Sequence, residues 1–170
     1  MKKGFTLIEL LIVIAVLGIL AAGLLATVDP LEQMKKARDS NTRNTTVELY
    51  NAIIRYNANK GYMPWDPTSG IADCFIVDQT TLELNQLSAP QPQGCMVGLI
   101  SEGELKASFS EAVRPLNNKI WLVGGSETVS VCFQPESRAV RQDSATRFEA
   151  DLTTTACVRA PGSECYWCAQ

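Results

Sequence analysis

The sequence has no histidine anywhere in its 170 residues. That removes the commonest general base, the His-containing triads and any imidazole ligand for zinc; carboxylate or lysine chemistry is left formally open, but no catalytic arrangement emerges. It has no excess of positive charge either. Fifteen Lys and Arg stand against eighteen Asp and Glu, with a pI near 5.0, so no phosphate-binding surface is built by charge alone and no nucleic-acid partner is expected. Cys165-Tyr-Trp-Cys168 has metal-knuckle spacing but lacks a second such pair, and it lacks the strand-to-helix setting that activates a redox thiol. No metal or cofactor is expected, and Asp143, Glu149 and Asp151 fit no defined calcium loop, so solvated charge is their expected role. Cysteine is also missing from the first 73 residues.

What is present is unevenly placed. A mean hydropathy of +0.01 is ordinary, yet the apolar residues crowd one end. From Leu10 to Val28 there is no charge, a stretch that as helix would span about 28 Å, close to the thickness of the bilayer hydrocarbon. Lys2 and Lys3 before it are expected to stay cytoplasmic by the positive-inside tendency, which Lys35, Lys36 and Arg38 weaken. An ordinary secretory signal would also start basic and turn apolar, but its core would be shorter and would gain nothing from Glu9, a carboxylate inside the apolar region. A plain membrane anchor has no evident need of that glutamate. Gly18 and Ala22 form a small-xxx-small pair that would let helices approach closely.

The six residues Gly4-Phe5-Thr6-Leu7-Ile8-Glu9, with lysines before and an apolar helix after, resemble the processing site of type IV prepilins and type II secretion pseudopilins. The resemblance implies an α+β pilin-like fold, in which a long N-terminal helix packs on a small antiparallel sheet. It implies a leader at residues 1–4, a membrane and polymerisation helix at 5–28, its amphipathic continuation at 29–60 and a β-rich head at 61–170. A prepilin peptidase in the membrane would cut between Gly4 and Phe5 and N-methylate Phe5; Glu9 would pair with the terminal amine of a neighbouring subunit. Other implied partners are further subunits, in a homopolymer or a mixed filament, an inner-membrane assembly platform and the lipid bilayer. The location implied is the inner membrane, with the head outside the cytoplasm, and then a filament. Within the resemblance a pseudopilin of a secretion system, G- or H-like, is the alternative; outside it, a membrane-anchored periplasmic binding module. The stretch Tyr56 to Pro64 also resembles the Y-x-x-x-x-G-x-Y-P pattern at pilin helix ends, through Tyr56, Gly61, Tyr62 and, one residue late, Pro64.

Asp29-Pro30 predicts a kink or a fresh helix start. Beyond it, Leu31 to about Asn59 reads as an amphipathic helix with Val47, Leu49, Tyr50, Ile53, Ile54 and Tyr56 on the apolar side, stopped by Gly61 and Pro64. Lys35, Lys36 and Arg38 read as a solvated face before they read as a lipid-headgroup contact. Asn44-Thr45-Thr46 matches a glycosylation sequon on a helix and carries no weight. Short strands are expected at Cys74–Val77, Gln93–Ile100, Ile120–Val123, Thr128–Phe133 and Ala139–Arg141, with a helix within Ser101–Val113 and a hairpin connection at Gly124-Gly125-Ser126. Outside the cytoplasm Cys74, Cys95, Cys132, Cys157, Cys165 and Cys168 would form disulfides whose pairing the sequence leaves open. The tail from Ala156 has too few apolar residues for core burial to hold it, so one bridge is expected from it to Cys74, Cys95 or Cys132.

Overall fold

The computed structural model describes residues 4–27, 29–71, 74, 81–83, 94–116, 118–158 and 164–170. Two compact units divide the chain, Met1–Met34 and Lys35–Gln170, and each is taken by itself.

In the first unit, helix α1 runs Leu7–Thr27. Helix α2, Pro30–Lys60, starts afresh and carries the chain into the second unit. Asp29 is the reason for the new start: its Oδ1 accepts the backbone N–H groups of Leu31 at 3.1 Å and Glu32 at 3.3 Å, while its carbonyl takes the first helical bond, from Gln33. Pro30 then sits at the first helical position, where its missing N–H is no loss. At the far end Gly61 adopts φ +82° and donates to the Asn57 carbonyl at 2.7 Å, a left-handed stop that favours glycine.

The second unit is a five-stranded antiparallel sheet in the order β1-β2-β3-β5-β4, packed with α2. The strands are β1 Thr81–Glu83, β2 Ile120–Gly124, β3 Val129–Phe133, β4 Thr146–Phe148 and β5 Tyr166–Ala169. The β2–β3 hairpin forms where Gly124-Gly125-Ser126 predicts it, with Gly125 N–H donating to the Thr128 carbonyl at 2.8 Å. Trp65 lies so close to Gly124 that a Cβ there would come within 2.8 Å of its ring, and the indole N–H donates to the Gly125 carbonyl at 3.0 Å. One sheet face contributes Ile120, Leu122, Val131, Phe133, Trp167 and Ala169 to the main core, where they meet Leu49, Ile53 and Tyr56 of α2. The other face holds Val123 and Cys132 beneath Leu152.

Three expectations change. Gln93–Ile100 is not a strand: helix α3 occupies Cys95–Ser101, and residue 93 lies outside the described residues. Its buried residues, Cys95, Met96, Gly98 and Leu99, recur at helical and not alternating spacing. Ala139–Arg141 is likewise helical, α5 at Arg138–Arg141, started by Ser137, whose Oγ accepts the Val140 N–H at 3.4 Å. Ile54, expected on the apolar side of α2, is turned outward and 38% exposed. Within Ser101–Val113 the helix is confined to α4, Phe109–Val113, because the chain turns at Gly103, φ +79°. Of Cys74–Val77 only Cys74 is described, and it is not in a strand; the rest lies outside the described residues.

The strand β5 was not anticipated. It places Trp167 and Ala169 in the core between β3 and β4, so the tail is held by pairing and burial as well as by sulfur. The disulfides are Cys74–Cys95, Cys132–Cys168 and Cys157–Cys165, leaving no free cysteine. Cys132 and Cys168 stand directly opposite each other on β3 and β5, which makes this the bridge from the tail to an upstream cysteine.

Candidate functional site

The N-terminal segment carries the residues that the sequence singles out. At about 1.5 Å per residue, the 21 residues of α1 give about 31 Å of helix, enough to cross a bilayer core. Leu7–Leu24 has a mean hydropathy of 2.8, and none of it is buried. Leu10, Leu11, Ile12, Ile14, Leu17 and Leu20 are all more than half exposed, on every side of the helix. A helix that is apolar all round belongs in lipid or against other helices, not at a water-facing surface. Gly18 and Ala22 lie on this open surface, and a Cβ added at Gly18 would meet nothing within 4 Å.

Gly4, Phe5 and Thr6 precede the helix in non-helical conformation, so the Gly4–Phe5 peptide bond sits outside α1. Phe5 is 78% exposed. Thr6 is the N-cap and Glu9 the third helical residue, and the two form a reciprocal capping box. The Thr6 N–H donates to Glu9 Oε2 at 2.9 Å and the Thr6 hydroxyl to the same oxygen at 2.8 Å, while Glu9 N–H donates back to Thr6 Oγ1 at 3.3 Å. Sequence reasoning singled out Gly4, Phe5 and Glu9 but passed over Thr6, although Thr-x-x-Glu before an apolar run is the sequence signature of this box. Lys2 and Lys3 lie outside the described residues.

Among its described residues the second unit supplies no competing chemistry of comparable organisation. Asp151 accepts the N–H groups of Thr153 and Thr154 and the Thr154 hydroxyl; the last of these contacts above all holds its carboxyl at about 2. Asp143 accepts the Ala145 N–H at 2.9 Å. Among the described residues no three acidic or cysteine side chains converge as metal ligands. A cavity of about 320 Å³ opens between α2 and α5, lined by Lys36, Asp39, Ser40, Arg43, Val140 and Asp143. Asp39 is already engaged there. It is 3% exposed and accepts the Glu136 N–H at 2.9 Å, the Ser137 N–H at 2.8 Å and the Ser137 hydroxyl at 2.6 Å.

An exposed apolar helix, opened by a capped glutamate and followed by a disulfide-linked α+β unit, defines a pilin-like class of chain. Residues 1–25 match the model of the prokaryotic N-terminal methylation motif. The chain is 26% identical over 154 residues to the type IV major pilin protein PilE of Neisseria gonorrhoeae, spanning 90% of this chain and 85% of that one. The likeness is thus to a type IV pilin, a structural protein and not an enzyme. No solved structure gives a significant match.

Proposed function

We propose that the chain is a structural subunit of a type IV pilus-like filament. It enters the inner membrane through α1 with its head outside the cytoplasm, is hydrolysed between Gly4 and Phe5 by a prepilin peptidase, is N-methylated at Phe5, and polymerises through α1 on an inner-membrane assembly platform. The observation that carries this reading is an apolar helix, unburied over Leu7–Leu24 and under a methylation motif, whose one carboxylate is Glu9 at its first turn. Three disulfides suit a head kept in an oxidising compartment. Cleavage creates a cationic amine at Phe5 in an apolar setting, and Glu9 of an adjacent subunit compensates it. A buried ion pair need not add net stability, but an unpaired member is strongly unfavourable, so the contact selects the register between neighbours. Gly18 and Ala22 let adjoining helices approach.

Intact mass of protein recovered from membranes tests the processing: the expected chain begins at Phe5 and carries one added methyl group. A terminus after Ala21, Ala22 or Ala26 would identify an ordinary signal peptide and end the proposal. Glu9→Ala tests the assembly chemistry. Insertion and cleavage should survive, because neither needs the negative charge, while filaments should be lost; normal filament yield from fully processed Glu9→Ala protein would defeat register selection.

A further inference from the structure

The hydrogen bonds at the start of α1 give Thr6 a task that its place in the motif does not state. Resting on the Glu9 reading above, we infer that Thr6 is a positioning residue for the assembly contact: it holds the Glu9 carboxylate by one oxygen and leaves the other for the amine of a second copy of this chain. Both Thr6 donors, the N–H at 2.9 Å and the hydroxyl at 2.8 Å, fall on Oε2, and Oε1 accepts neither. Glutamate has three side-chain torsions, and a free one would spread its charge over many rotamers. Two donors on one oxygen remove most of that freedom before the partner arrives, which is how a preorganised group gains affinity without a new contact.

The same contact eases the time before assembly. A carboxylate within an apolar helix has no water to solvate it, and a subunit waiting in the membrane has no neighbouring amine. The hydroxyl and N–H of Thr6 supply two local donors in that interval. They do not neutralise the charge, so a cationic partner remains the better one. The arrangement lets Glu9 wait without being consumed, because the neighbour's amine can bind at Oε1 while the Thr6 bonds persist at Oε2.

Three substitutions in the full-length chain separate this role from simple helix capping. Thr6→Ser keeps the hydroxyl and should assemble within about two-fold of the unaltered protein. Thr6→Val removes the hydroxyl at constant shape. Thr6→Gly also removes it, but glycine is nearly as good an N-cap as threonine, so the helix start is preserved. A hydrogen bond to a charged acceptor shifts an equilibrium by about ten-fold, so both Val and Gly variants should lose filaments at least about five-fold. Sheared filaments are measured per amount of protein processed at Phe5 in the membrane fraction. Normal assembly of either the Val or the Gly variant would overturn the inference, since the hydroxyl would then be dispensable or its part would be confined to the cap. Accumulation of uncleaved precursor would overturn it as well, by placing Thr6 in recognition by the peptidase. The Glu9→Ala result stands apart: if Glu9→Ala blocks assembly and the Thr6 variants do not, the filament reading survives and only this inference fails.

Discussion

Removing the carboxylate of Asp39 should cost the head more than any comparable polar substitution. The group is buried on α2, and its three hydrogen bonds reach across nearly a hundred residues of sequence to Glu136 and Ser137, tying the helix to the segment between β3 and α5. Asp39→Ala leaves the Ser137 N–H and hydroxyl buried without their acceptor, in a residue that is 0% exposed. Hydrogen bonds to a charged group are worth about 1.5–3 kcal/mol each, and they do not add in full because removing the charge also relieves its desolvation. A net loss of about 3 kcal/mol follows. For a head of this size each kcal/mol moves the midpoint by roughly 3–5 °C, so a fall of about 10–15 °C is expected. A fragment beginning near Met34 keeps Asp39 and omits α1, and it should be soluble and largely monomeric. Thermal unfolding of this fragment followed by circular dichroism is the assay. Ser137→Ala removes one bond of the three and should fall between the parent and Asp39→Ala; a midpoint for Asp39→Ala within about 3 °C of the parent would refute the reasoning.

The disulfides should rank by the chain they enclose. Cys132–Cys168, with a separation of 36 residues, should stabilise by about 4 kcal/mol in the chain-entropy description, against about 2.5 kcal/mol for Cys157–Cys165, with a separation of 8. Urea midpoints of the two double Cys→Ser variants would check the order, and a larger loss from the shorter loop would contradict it. Glu136 should make the head acid-sensitive. The hydrogen bond from Lys119 holds its carboxyl below the ordinary value of 4.5, and Arg38 adds a weaker pull, against the opposing effect of burial. Because the folded value is the lower one, the stabilisation is complete above about 4.5 and is lost as pH falls through the depressed value. Glu136→Gln should therefore flatten the melting midpoint against pH below about 4.5, and an unchanged acid limb would place the sensitivity elsewhere.

How far the sequence could be read depended on the range of the interactions. Local chemistry was legible: Asp29-Pro30 starts a helix by its own side chain, Gly61 ends one by its own φ, and Gly124-Gly125-Ser126 turns a hairpin between two runs of strand-forming residues. The strands β1, β4 and β5 were not, being three or four residues long and defined by their neighbours more than by their composition. Around Cys95 a short apolar run is compatible with either strand or helix, and the burial of Cys95, Met96, Gly98 and Leu99 at helical spacing decides between them, which neither the run nor the bridge to Cys74 reveals. The stripe that α2 buries was only half visible. Leu49, Ile53 and Tyr56 continue backward at the same spacing through Thr46, Thr42 and Asp39, polar residues that a hydrophobicity pattern discards. Thr46 and Thr42 are buried with their hydroxyls bonded to the carbonyls four residues earlier, and Asp39 finds its partners only after the chain has returned from β3. At the N-terminus Gly4, Phe5 and Glu9 are legible by resemblance and Thr6 by the Thr-x-x-Glu signature, while the structure adds which Glu9 oxygen takes the bonds.

The two units meet opposite demands, and the placement of polar groups follows from that. Lys35–Gln170 has its own core and its own covalent links, and its buried carboxylate at Asp39 is met by donors from the same unit. Over Leu7–Leu24 the apolar side chains of α1 are unburied, and among the described residues both donors to the Glu9 carboxylate fall on one oxygen. In the proposed filament its burial and its charge compensation come from lipid and from other copies, and the second would supply what the first cannot, a cation at the level of Glu9. Apolar packing alone would accept any sliding of one helix along another, since leucine against leucine is much the same at each register. On the proposed reading, one carboxylate near one cleaved terminus would convert that indifferent surface into a contact with a single preferred offset, which a filament with a regular rise requires.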